Sequence, residues 1–126
     1  IRYEEQPWEW TRQGRLKWYT HPHIDSSARR VWLYLQEIPP GSRSGKHRHM
    51  AEEQIFIING NGYDVHDGER WNWEQGDLIC IPGMTEHQHF NSGSDPVRLL
   101  CAFPATYLNL GVGGFEQMED APEFNG

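Results

Sequence analysis

With 126 residues the chain has room for one domain with a real core but not for a second substrate-binding lobe, so any site must lie within that core. Eleven basic against eighteen acidic side chains give a formal net charge of -7 with no basic run, which argues against nucleic acid or an anionic membrane surface as a partner and for a small-molecule ligand. No apolar run approaches the length of a membrane span, and residues 1–20 lack the basic-then-apolar layout of a signal peptide, so a cytoplasmic location is expected.

Residues 1–28 mix Trp8, Trp10 and Trp18 with charges around a turn at Gln13-Gly14 and read as an opening hairpin or arm whose aromatics cover a sheet edge. Within it, His21-Pro22-His23 has a His-x-His spacing but no carboxylate at the matching distance, and it is not read as a ligand pair. Arg29 to Ile38 is a strand with apolar residues on both faces, on which Tyr34 or Gln36 could line a cavity, and Pro39-Pro40-Gly41 ends it. Strands follow over Gln54–Asn59, Tyr63–His66 and Glu69–Trp73, with Asp67-Gly68 closing a hairpin that leaves His66 exposed. Three more cover Leu78–Ile81, His87–Asn91 and Val97–Phe103, and their apolar runs bury Cys80 and Cys101 as free thiols. Residues 105–126 form a looser tail. Helical periodicity never exceeds two turns, so short strands punctuated by Gly and Pro predict an all-β sandwich or barrel, a closed double-sheet roll being favoured because it hides its edges, with its core over 29–104 within a single domain 1–126.

The residues that carry chemistry begin at Gly45-Lys46-His47-Arg48-His49. On an extended chain His47 and His49 share a face, and Glu53 rejoins it after a short bend. Imidazoles and a carboxylate are the ligands of Fe, Mn, Ni, Cu or Zn, and a further donor must come from elsewhere. His87, heading the strand after Pro82-Gly83, is the leading candidate; His89, on the same face, is a deeper or catalytic group, with Asn91 or Gln88 orienting the imidazoles. Arg98 and Met84 join Tyr34 as candidate substrate contacts.

These stretches resemble the two signature motifs of the cupin superfamily. The first runs Gly41, His47, His49, Glu53, Gly60, and the second runs Gly76, Pro82, His87, Asn91, with Met84 standing where the second motif has glycine. The resemblance implies a double-stranded β-helix, a jelly-roll barrel, holding one metal ion on His47, His49, Glu53 and His87. The run from His47 through Asp67-Gly68-Glu69-Arg70 to Phe90-Asn91 is also similar to gentisate-type ring-cleaving dioxygenases, which carry two tandem cupin domains and three histidine ligands, whereas this chain has one domain and keeps Glu53.

The expected function is a metal-dependent dioxygenase acting on a small phenolic, enol or diketone substrate, with Fe(II) as its ion and Glu53 and His89 as its acid–base groups. A redox-neutral lyase or isomerase and a non-catalytic small-ligand-binding cupin are the alternatives. Exposed end segments and edge strands suggest a homodimer.

Overall fold

The structure is a computed structural model that describes residues 1–21, 30–105 and 114–126. After a short 3-10 turn at Tyr3–Glu5, the described residues form β1 (Glu9–Thr11), β2 (Gly14–Thr20), β3 (Val31–Ile38), β4 (Lys46–His49), β5 (Glu53–Asn59) and β6 (Asn61–His66). They continue through β7 (Glu69–Glu74), β8 (Leu78–Ile81), β9 (His87–Asn91), β10 (Val97–Pro104) and β11 (Phe115–Glu119). No helix among them is long and apolar enough to cross a membrane.

Two antiparallel sheets result, one ordered β1-β2-β3-β10-β5-β8 and the other β11-β4-β9-β6-β7. The all-β expectation is met, but the expected jelly-roll barrel is not, because neither sheet closes. One ladder stops at β1 and β8 and the other at β11 and β7. β7 and β8 are consecutive in the chain, yet a tight turn carries β8 into the opposite sheet. There Asp77 Oδ2 accepts the Glu74 N–H (2.9 Å) and the Gly76 N–H donates to Ile57 O (2.9 Å). Side chains, rather than backbone ladders, fill the space between the sheets.

The arm and tail also need correction. β2 pairs with β3 along most of its length, so the opening hairpin extends the larger sheet. β11 pairs with β4, so part of the expected loose tail is the outer strand of the smaller sheet.

Strict alternation places the core. Glu53, Ile55 and Ile57 of β5 point inward while Gln54, Phe56 and Ile58 point outward, and Val97, Leu99, Cys101 and Phe103 do the same on β10. Ile38, Ile55, Ile57, Trp73, Ile79, Ile81, Val97, Leu99 and Cys101 pack as one cluster with Tyr34 against it. Each fully buried isoleucine there contributes about 1.5–3 kcal/mol. Cys80 was expected inside, but β8 alternates so that Ile79 and Ile81 face the core and Cys80 is exposed. Gly62 allows the close approach of β6 to its neighbours, since a Cβ there would lie 2.0 Å from Phe90 O and 2.6 Å from the Trp73 ring.

Candidate metal centre

The apolar cluster fills one part of the space between the sheets, and polar side chains fill another. His47 and His87 are directly opposed partners on β4 and β9, and His49 follows two residues later on the same face. Glu53 opens β5 on the facing sheet. All four are buried, and one ligand atom from each lies within 4.8 Å of the other three. Three imidazoles and one carboxylate thus form a metal-binding cluster.

The hydrogen bonds around the imidazoles decide which atoms face inward. His47 Nδ1–H donates to Gln13 Oε1, His49 Nδ1–H to Ala51 O (2.8 Å) and His87 Nδ1–H to Thr85 O (2.8 Å). These acceptors have no proton to give, so each neutral ring carries its proton on Nδ1 and turns a bare Nε2 inward. Glu53 Oε2 lies 3.3 Å from His49 Nε2 and 3.4 Å from His87 Nε2, and its other oxygen accepts the Tyr34 phenol O–H at 2.6 Å. Among the described residues His87 Nε2 is buried without a hydrogen-bond partner. Lone pairs facing lone pairs out of water are costly, and a divalent cation among them resolves that cost. The residues therefore fit a metal ion.

Electrostatics agree with this arrangement. Burial, reinforced by His87, pushes His47 down from 6.5 to about 2, so it resists protonation. Burial alone would raise the Glu53 carboxyl, yet a proton on the facing Nε2 of His49 or His87 would hold it well below the usual range, and a cation among the same atoms acts in the same direction. Burial, with Cys101 and Glu53 adding to it, pushes the Tyr34 phenol well up, so it stays a donor.

His89 is not among the four. Its Nδ1–H donates to Asp64 Oδ1 at 2.9 Å, and its ring centroid is 5.7 Å from that of His87. Asp64 is fully buried and also accepts from Trp73 Nε1 (2.8 Å) and His66 Nε2 (2.8 Å). Burial opposes both charges, but each partner's charge prevails: Asp64 is held below the usual carboxylate range and His89 is raised. His66, expected to be exposed, is therefore largely buried.

Of the substrate candidates, only Tyr34 reaches the site. It lines a cavity of about 290 Å³ together with Trp18, Trp32, His47, His49 and Phe115. Arg98 falls on the outward parity of β10 and bonds Glu37 Oε2 (3.0 Å), and Met84 is a half-exposed turn residue. Asn91 Nδ2 donates to the carbonyls of Ile38, Pro39 and Asp95, and Gln88 Nε2 donates to Ser44 O, so neither orients an imidazole. His21 packs on Trp18 and Trp32 at the cavity wall, and His23 lies outside the described residues. A larger hollow of about 580 Å³ between the edge strands β7 and β8, lined by Trp71, Leu78 and Cys80, includes none of the four clustered groups.

Sequence reasoning missed Gln13, Phe115 and Asp64. Asp64 had a usable signal, an acid on the inward parity of β6, while Gln13 and Phe115 reach the site only through sheet pairings that no local pattern encodes.

Residues 34–103 match the family model described as Cupin domain. This chain is a cupin. Its relatives include an uncharacterized protein of Methanocaldococcus jannaschii, 34% identical over 82 residues that make up 64% of this chain and 65% of that one. The gentisate 1,2-dioxygenase of Ralstonia sp. is 35% identical over 68 residues, 53% of this chain and 19% of that enzyme. The 5-aminosalicylate 1,2-dioxygenase of Comamonas sp. is 32% identical over 77 residues, 61% and 21% of the two chains. Among solved structures, the salicylate 1,2-dioxygenase of Pseudaminobacter salicylatoxidans superposes with a TM-score of 0.71 over 80% of this cupin and 30% of that chain, at 24% identity. The cupin thus spans about a fifth of the length of the curated dioxygenases it matches.

Proposed function

We propose that this cupin is a metal-dependent dioxygenase acting on a small phenolic substrate, with Fe(II) held by His47, His49, Glu53 and His87. The observation that carries the reading is the convergence of three bare Nε2 atoms and one carboxylate, all buried, beside an aromatic cavity. Such an ion supplies Lewis acidity and, as Fe(II), a path for electrons to dioxygen.

The chain's own groups have separable tasks. Gln13, Ala51 O and Thr85 O fix the imidazole tautomers, so no proton must be expelled from Nε2 when an ion enters. Trp18, Trp32, Phe103 and Phe115 offer flat apolar walls to an aromatic ring and exclude water from it. The Trp32 indole N–H is buried without an acceptor among the described residues, and a phenolic oxygen would supply one. His89, held by Asp64 through Nδ1, has Nε2 left to hold or pass a proton. The similarity to gentisate and 5-aminosalicylate dioxygenases supports the substrate class. A homodimer is also proposed, supported by the uncovered outward residues Phe56, Ile58 and Leu78, and sedimentation velocity tests it.

The functional test is anaerobic loading with Fe(II) followed by oxygen-electrode traces with dihydroxyaromatics, monohydric phenols and diketones. Oxygen uptake coupled to loss of an aromatic substrate is expected. Turnover that proceeds unchanged under nitrogen, with Zn(II) or Mn(II) in place of Fe(II), would contradict it and favour redox-neutral chemistry.

A further inference from the structure

Glu53 sits between two neighbours that compete for its oxygens. Oε1 accepts the Tyr34 hydroxyl at 2.6 Å, a short charge-assisted bond, while Oε2 faces the bare Nε2 atoms of His49 and His87 at 3.3 and 3.4 Å. Tyr34 is itself held in place. It stands opposite Cys101 on β10 and opposite Trp18 on β2, and its ring packs on Trp18 with centroids 4.7 Å apart. The phenol is thus a fixed donor on the wall of the same cavity that includes His47 and His49.

We propose that Tyr34 is a positioning residue that ties one oxygen of Glu53, so that Glu53 stays a one-oxygen ligand and, alongside dioxygen, the centre admits substrates through a single donor atom. The inference rests on reading the four side chains as a metal centre, and it deepens that reading by narrowing the substrate. Four protein donors leave two positions on an octahedral ion, and a chelating hydroxy acid together with dioxygen needs three. Glu53 could vacate its position only by swinging away, and the Tyr34 bond opposes that movement. The substrate that fits is a phenol or enol engaging through one oxygen, not an ortho-hydroxy acid engaging through two.

The test is a double-mutant cycle read by Mn(II) affinity, with free Mn(II) followed by its electron paramagnetic resonance. Wild type, Tyr34→Phe, Glu53→Ala and the double variant are compared. Tyr34→Phe deletes one hydroxyl and keeps the ring; if it does not fold, Tyr34→Met, smaller but flexible and without a donor, takes its place. Tyr34→Phe is expected to weaken Mn(II) binding by about 10- to 100-fold, and to cost nothing further once Glu53 is alanine. In the second arm salicylate is titrated calorimetrically into anaerobic Fe(II)-loaded protein saturated with nitric oxide, which stands in for dioxygen, and it should bind more tightly to Tyr34→Phe than to wild type because only there is Glu53 freed to leave a third position. Unchanged Mn(II) affinity, an equal loss in the Glu53→Ala background, or equal salicylate affinity would overturn the inference while leaving the metal centre standing. A wild-type protein that takes up no Mn(II) would overturn both.

Discussion

A carboxylate facing two bare imidazole nitrogens out of water is tolerable only with positive charge between them, and Glu53, His49 and His87 therefore have consequences without an ion as well as with one. In the metal-free protein the folded-state values of His47 and Glu53 both lie below their ordinary ones of 6.5 and 4.5. The unfolded chain then takes up protons that the folded one refuses. The stability these two groups confer is present above pH 6.5 for His47 and above 4.5 for Glu53, and it is lost as pH falls. His89, raised by Asp64, acts in the opposite sense: its contribution is complete below 6.5 and fades as pH rises through its higher folded value. The melting temperature of metal-free protein should accordingly fall as pH is lowered from 7 to 4, and a flat profile would contradict the burial that keeps the His47 ring unprotonated. Asp64 gives a second residue-scale prediction. With three donors on one fully buried carboxylate, Asp64→Asn should lower stability by about 3–5 kcal/mol in urea unfolding while leaving metal stoichiometry unchanged. His47, His49, Glu53 and His87 were legible in the sequence because two-residue spacing on strands fixes a shared face. Arg98 falls on the outward parity of β10, since its neighbours Val97 and Leu99 are the inward ones, and that parity follows from the same two-residue spacing.

The turn between β8 and β9 shows what one departure from a motif does to an element. Met84 occupies a left-handed conformation, φ 63°, where the second cupin motif has glycine. Its N–H donates to His49 O at 2.7 Å, so the turn is tied to the strand that carries two of the clustered histidines. The departure costs backbone strain and puts no thioether in the site. Met84→Gly should raise stability by about 1 kcal/mol, measured as a higher melting temperature, with metal content unchanged. An unaltered or lower melting temperature would mean the turn is not strained. Most strands were legible because alternation and Gly-Pro punctuation are local. The pairing of β11 with β4 was not, since it joins residues more than sixty apart in the chain and depends on which edge is left open.

At the scale of the whole molecule, two open sheets face one another, and the metal-binding cluster and its aromatic cavity lie between them. An all-β class followed from composition and period, but closure could not, because whether edge strands meet depends on the turn at Glu74–Asp77 sending β8 into the opposite sheet. What the arrangement achieves is independent of closure: β4 and β9 of one sheet present three imidazoles to the carboxylate that opens β5 of the other. Metal analysis by atomic emission, on protein prepared without added ions and on the variants His49→Ala, His87→Ala and His66→Ala, tests this most directly. One equivalent of a divalent transition metal in wild type and His66→Ala, with most of it lost from His49→Ala and His87→Ala, is the predicted result. Equal metal content in all four proteins would contradict the account.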